Sequence, residues 1–273
     1  IKGLLEELNG KLGVVRPTFE EYPNRWEKDV IAYDCTENDF SYTASQLIQY
    51  FTENPVDTLV LINPDNPTGH CMDADGIKSL LQWSKECGIN LIMDESFLDF
   101  ADTEDLSLLS EQVLRENRNL YVVKSISKSY GVPGLRLGIL ASGNTDMIEH
   151  LKKDVSIWNI NSMAEFFMQI LDKYKSDYTD SLRKIKEERS RFLIELCAIK
   201  NLKVYPSQAN YFMCEILDGI SSEELAGRLL KENILIKDLT GKIHNGKQYI
   251  RIAIRGEEEN RILVEKLKVC MKQ

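Results

Sequence analysis

Two apolar runs in the first half of this chain, Leu59-Val60-Leu61-Ile62 and Leu91-Ile92-Met93, show no alternation of polar and apolar residues. A strand with one wet face alternates. Unbroken runs like these belong to strands covered on both faces, which is the habit of mainly parallel sheets flanked by helices. Around them, β-rich stretches predict strands at Leu12 to Arg16, Val30 to Tyr33, Thr58 to Ile62, Asn90 to Met93, Leu120 to Lys124 and Leu135 to Ala141. Helices fit between several of these. Thr43-Ala44-Ser45-Gln46 is a capping-box start for a helix through Phe51, and Asp73 can cap a helix that runs to about Cys87 and stops at Gly88. The order of elements is that of an α/β doubly wound fold.

The second half has a different grain. Helices are predicted over Ser162 to Lys175 and, strongly charged, over Tyr178 to Cys197. Strands follow at Leu202 to Tyr205 and Tyr211 to Glu215, then a helix capped by Ser221 and Glu224, strands at Ile234 to Lys237 and Tyr249 to Ile254, and a closing helix from Glu258 to Met271. This suggests a smaller α+β domain, giving a large domain over 1–155, a connecting helix over 156–180 and a small domain over 181–273.

Composition narrows the function. The net charge of −9, with no sustained basic stretch, argues against nucleic acid as a main partner, since phosphate neutralisation dominates such binding. No apolar run approaches the ~18 to 20 residues of a membrane span, and Ile1 to Leu8 has the pattern of an acidic amphipathic helix and not of a signal peptide. Cys35, Cys71, Cys87, Cys197, Cys214 and Cys270 form no close pair, and His70, His150 and His244 have no metal-type spacing. Reduced thiols in the cytoplasm and no metal centre are the expectation.

Ligands of open α/β sheets bind beyond the carboxyl ends of the strands. Polar segments stand at those ends here: Asn63-Pro64-Asp65-Asn66-Pro67-Thr68-Gly69 after Ile62, Asp94-Glu95-Ser96-Phe97 after Met93, and Ser125-Ile126-Ser127-Lys128 after Lys124, with Arg136 eight residues beyond that lysine. Each has an ordinary explanation alone: a turn, a helix cap, a solvated lysine, a surface ion pair. Together they suit one chemistry. A lysine can form a Schiff base, a carboxylate can keep a pyridine nitrogen protonated, and hydroxyls with an arginine can hold a phosphate through charge-assisted hydrogen bonds.

The segments NPDNPTG, MDESFLDF and SISKSYGVPGLRLG, in this order, resemble those of fold type I enzymes dependent on pyridoxal 5′-phosphate (PLP), within the class I/II aminotransferases. The likeness extends over nearly the whole chain. It implies an aspartate aminotransferase-like α/β fold with a mainly parallel sheet in the large domain and a small α+β C-terminal domain. It implies Lys128 as the Schiff-base lysine, Asp94 as partner of the pyridinium nitrogen, Asn66 as donor to the ring hydroxyl, Ser125, Ser127 and Arg136 as phosphate ligands, and Phe19 as the ring-stacking aromatic. Arg251, in Tyr249 to Arg255, takes the role of gripping the substrate carboxylate, and Asn210 lies in a motif near the site. A homodimer is the family habit.

Two departures stand out. Phe97 occupies a position where most such aminotransferases have tyrosine, so a hydroxyl contact to the ring oxygen is lost. Relatives also usually begin several dozen residues earlier, with a glycine-containing helix start that cradles the phosphate. The chain is therefore expected to lack an upstream part, and to bind phosphate weakly if that part is gone.

Within that family the chain resembles histidinol-phosphate aminotransferases and threonine-phosphate decarboxylases. The family at large favours transamination of a small, phosphorylated amino acid or amine. Pro17 to Tyr22, Phe97, Trp158-Asn159-Ile160-Asn161 and the pair Arg251 and Arg255 lean toward Cα decarboxylation. In either case the bond held perpendicular to the cofactor plane breaks. Arg255, four residues from Arg251 and on the same strand face if the strand continues, could hold a substrate phosphate. A regulator's sensor domain, or an inactive fragment or scaffold of a longer protein, are the non-catalytic alternatives.

Overall fold

A computed structural model describes residues 1–271. After a short helix α1 (Lys2–Glu7), the chain lays down β1 (Leu12–Arg16), β2 (Val30–Asp34), α2 (Ala44–Glu53), β3 (Thr58–Ile62), α3 (Ala74–Glu86), β4 (Asn90–Asp94), α4 (Glu111–Glu116), β5 (Leu120–Ser125), α5 (Ile126–Ser129), β6 (Gly138–Ser142) and α6 (Thr145–Asp154). The six strands form one sheet in the order β2-β1-β3-β4-β5-β6. All neighbours are parallel except β5 and β6, which run antiparallel.

The unbroken apolar runs have the cause inferred for them. Leu59, Leu61, Leu91, Met93, Leu120 and Val122 point into a core on one face, with α2 and α3. Val60, Ile62, Ile92 and Tyr121 point into a second core on the other, beneath α1 and Leu151 of α6. Strands buried on both sides gain burial free energy of roughly 25 cal/mol per Å² twice over, which is why apolar side chains are called for at every position. Gly13 in β1 leaves no room for a side chain, since a Cβ there would lie 2.9 Å from the Phe51 ring of α2.

The caps are formed as read. Thr43 and Gln46 make the reciprocal capping box of α2, and the Asp73 carboxylate accepts from the Gly76 N–H at the start of α3.

The second half builds α7 (Ser162–Ile170), α8 (Lys175–Cys197), β7 (Leu202–Val204), β8 (Tyr211–Ile216), α9 (Ser222–Lys231), β9 (Lys237–Asp238), β10 (Gln248–Ala253) and α10 (Glu257–Cys270). Its four strands make an antiparallel sheet in the order β7-β8-β10-β9. One face packs with α8, α9 and α10 in a core of its own. The other face sends Tyr205, Met213 and Tyr249 into the first core, where Phe40 meets Tyr205 and Tyr249 edge to face at 5.0 and 5.2 Å.

Two predicted strands are corrected. Residues 135–137 are not strand, because Pro133–Leu135 forms a 3-10 turn and Arg136 is left-handed at φ 56°, so β6 begins at Gly138. The strand predicted over Ile234 to Lys237 shrinks to Lys237–Asp238, because the Ile234 N–H is still bonded to Leu229 at the end of α9.

Candidate active site

The polar segments after β3, β4 and β5 meet at one cleft of about 460 Å³. Its lining includes Phe19, Asn66, Asp94, Phe97, Ser125, Ser127, Lys128 and Arg136. Parallel neighbours in register place their last residues side by side: Ile62 pairs with Asp94, and Asp94 with Val123.

Asp94 is buried at the tip of β4. One carboxylate oxygen accepts from the Tyr22 hydroxyl at 2.8 Å and the other from the Ser96 N–H at 2.9 Å. Burial pushes its carboxyl above the ordinary value, opposed by these two donors. The Ser96 hydroxyl accepts from the Ser125 N–H at 3.0 Å, tying the turn after β4 to the start of the short helix that carries Lys128. The neighbouring acid, Glu95, faces elsewhere and accepts from Ser107 and the Leu108 N–H. Lys124 is likewise committed, to Asp99 at 2.6 Å. Lys128 is exposed, and its amine lies 5.9 Å from the centre of the Phe97 ring. Arg136 donates to the Pro133 carbonyl at 3.2 Å.

A second cavity of about 360 Å³ shares Phe19, Asn66, Phe97 and Lys128 with the first. It adds Asn210, Tyr211, Lys237, Leu239, Lys242, Arg251 and Ala253. Arg251 donates to Asn66 Oδ1 at 2.6 Å and lies over the Tyr211 ring at 4.9 Å. A guanidinium can only donate, so the Asn66 amide nitrogen is left free to donate in turn. Lys237 stands directly opposite Arg251 across the β9–β10 pair. Lys242 donates to the Thr18 carbonyl at 3.0 Å. Burial, reinforced by the charges of Arg251 and Lys237 and opposed by Glu20, holds its amine below the ordinary value. Four cations thus line a cavity that, among the described residues, no carboxylate lines.

Arg255 does not join them. β10 ends at Ala253, and Arg255 pairs with Glu259 at 2.8 Å beside a separate depression that Lys184 and Arg191 also line. Tyr22, Ser96, Tyr211, Lys237 and Lys242 belong to the site without having been singled out for it. Lys237 could have been suspected from the apolar run Ile234-Leu235-Ile236 that ends on it, but its pairing with Arg251 is a matter of register.

The donor set fits PLP. One cleft is lined by a buried carboxylate, Asp94, the hydroxyls of Ser125 and Ser127, the Arg136 guanidinium, the Lys128 amine and the rings of Phe19 and Phe97. A cleft of about 460 Å³ is within the range of cofactor sites.

Known proteins agree. The profile of the family described as aminotransferase class I and II matches residues 13–267. The chain is 33% identical over 277 residues to an L-serine phosphate decarboxylase of Sulfurospirillum multivorans, covering 98% of this chain and 70% of that protein. It is 32% identical over 264 residues to a CMP-5'-(3-aminopropyl)phosphonate synthase of Streptomyces rubellomurinus, covering 96% of this chain but only 42% of the synthase's length. The histidinol-phosphate aminotransferase structure from Clostridium acetobutylicum superposes with a TM-score of 0.89 at 27% identity, over 99% of this chain and 80% of that one. The fold is aspartate aminotransferase-like, with a mostly parallel large sheet and a smaller antiparallel one. The chain belongs to the class I and II aminotransferase family, whose cofactor is pyridoxal 5′-phosphate.

Proposed function

We propose that this chain decarboxylates a small phosphorylated amino acid. The observation that carries the proposal is the acid-free cavity beside Lys128. Like charges directly opposite on paired strands are destabilising, yet Arg251 faces Lys237 and Lys242 joins them. In a chain of net charge −9, such a cluster is explained by an anionic ligand that supplies the missing charge. A carboxylate and a phosphate on one small substrate provide it.

PLP, when bound, supplies an electron sink conjugated with the amine-bearing carbon of the substrate. Asp94 keeps the proton on the ring nitrogen. The Asn66 amide would donate to the ring hydroxyl, while Ser125, Ser127 and Arg136 would hold the phosphate. Lys128 would hold the cofactor through its amine and, once the substrate amine has displaced that amine, would be free to return a proton to the substrate carbon that loses carbon dioxide. Arg251 orients the substrate carboxylate, with Asn210 beside it, and Lys237 and Lys242 take the substrate phosphate. Arg255, bound to Glu259 away from the cavity, has no part in this proposal. Decarboxylation is placed before transamination because the Sulfurospirillum relative, similar along 98% of this chain, is named for that reaction. Transamination is the second reading, favoured by the likeness to the Clostridium aminotransferase. A homodimer in a reducing cytoplasm completes the proposal; the strong exposure of Ile157 and Trp158 supports the pairing of subunits.

The test is to load the chain with PLP and supply O-phospho-L-serine or O-phospho-L-threonine, with and without 2-oxoglutarate. Carbon dioxide and a phosphorylated amine are expected. Lys128→Ala should lose both products and the borohydride-fixed cofactor mass. Lys242→Gln should raise KM by about tenfold, the loss of roughly 1.4 kcal/mol of charge-assisted binding. Keto-acid formation without carbon dioxide would replace the first reading by the second. Absence of any lysine-linked cofactor in the wild-type chain would end both.

A further inference from the structure

Among the described residues Asp94 is the only carboxylate lining the cleft, and it is buried, 4% exposed. A carboxylate in such a place has two problems. Its charge is costly in a low-dielectric setting, and a single bond of free rotation lets it turn away from the ligand it must meet. The Ser96 N–H, fixed by the turn after β4, occupies one oxygen. The other is taken by Tyr22, 72 residues away in sequence.

We propose that Tyr22 is a positioning residue that fixes the plane of the Asp94 carboxylate toward the ring nitrogen of the cofactor. This rests on the cofactor reading given above and adds a residue to it. Tyr22 is well made for the task. Its ring is 1% exposed, in the core formed with Leu4, Val14, Ile62 and Ile92. It meets Phe19, which lines both cavities, edge to face at 6.4 Å. The phenol therefore cannot swing. Burial, aided by the Asp94 charge, pushes its ionisation far above the ordinary value, so it stays a donor. It is also among the donors that pull the Asp94 carboxyl back down against the effect of burial. With both oxygens held by donors on the protein side, the remaining lone pairs are presented to the cleft.

A tyrosine that merely filled the core would give a different signature. Tyr22→Phe retains the ring and removes only the hydroxyl. The experiment is a double-mutant cycle with Asp94→Asn, reading PLP affinity of the apo chain by absorbance titration, the pH midpoint of the visible band of the loaded chain, and the apo melting temperature. With Asp94 intact, Tyr22→Phe is expected to raise the Kd about tenfold, the scale of one lost hydrogen bond to a charged group, and to shift the pH midpoint. In the Asp94→Asn background the same substitution should change Kd by less than about twofold. Equal effects in both backgrounds, or an unchanged Kd and midpoint with Asp94 present, would overturn the proposal. If Tyr22→Phe lowers the apo melting temperature enough to blur the comparison, fluorotyrosine at position 22 alters the acidity of the phenol while closely keeping its shape. The pH midpoint should then move, and a fixed midpoint would count against the role. A wild-type chain that binds no PLP would fell the cofactor reading together with this one, whereas additivity in the cycle would fell this one alone.

Discussion

Asp65 shows how one side chain can set a pH dependence without touching the cofactor cleft. It is buried in the turn after β3, where it accepts from the Thr68 hydroxyl at 2.6 Å. Burial outweighs that bond and raises its carboxyl to about 7. The folded state then holds a proton that the unfolded chain releases near the ordinary carboxylate value. Its stabilisation is full below that ordinary value and is lost as pH rises through about 7. Urea unfolding at a series of pH values should show Asp65→Asn gaining on the wild type from about pH 4 to 7 and levelling off above. A difference that stays constant across that range would mean the carboxyl is charged in the fold. Asp65 also marks the limit of what could be read locally. Asn66, Asp94, Ser125 and Lys128 were findable because each follows an apolar run that had to be a parallel strand, and strand ends converge. Tyr22 and Lys242 were not, since their places depend on contacts across 72 and 224 residues. Arg255 was placed on a strand face that does not extend to it.

Helices and strands followed their local signals where those signals were physical necessities. The capping box at Thr43, the Asp73 cap and the doubly buried runs of β3 and β4 all appear. The misread ends were those decided by neighbours or by backbone handedness, as at Arg136 and Ile234. The least legible feature at this scale is Arg189, which the sequence presents as one more charge in the long, charged helix α8. It is in fact 3% exposed. Its guanidinium donates to the carbonyls of Phe100 and Ala209 at 2.6 and 3.2 Å and to the Asp102 carboxylate at 2.5 Å. It therefore fastens α8 to the loop after β4 and to the approach of β8. Asp102 is largely in solvent, so the two carbonyls carry most of the cost of losing it. Arg189→Met should destabilise the chain by about 2–4 kcal/mol, read as a lowered melting temperature with unaltered helix content. A change below about 0.5 kcal/mol would mean that water replaces the guanidinium without loss.

At the scale of the molecule, the stretch from Val155 to Phe166 stands out. Ile157 and Trp158 are 92% and 89% exposed, and Met163 and Phe166 are also exposed. Monomers seldom show contiguous apolar surface of this kind. If subunits pair there, Trp158→Glu should shift sedimentation toward the monomer at a given concentration, and an unchanged profile would remove this surface from the pairing. The two sheets, in turn, touch where Gly69, left-handed at φ 79°, abuts Ser207; a Cβ on Gly69 would lie 2.1 Å from the Ser207 hydroxyl oxygen. The Gln208 N–H donates to the Gly69 carbonyl at 2.9 Å, and the Tyr211 hydroxyl donates to the Asp65 carbonyl at 2.7 Å. The turn that holds Asn66 and the sheet that holds Arg251 are thus latched to each other. A single methyl group at position 69 would act as a wedge between the turn that carries Asn66 and the sheet that carries Arg251, prying the two apart without touching either side chain.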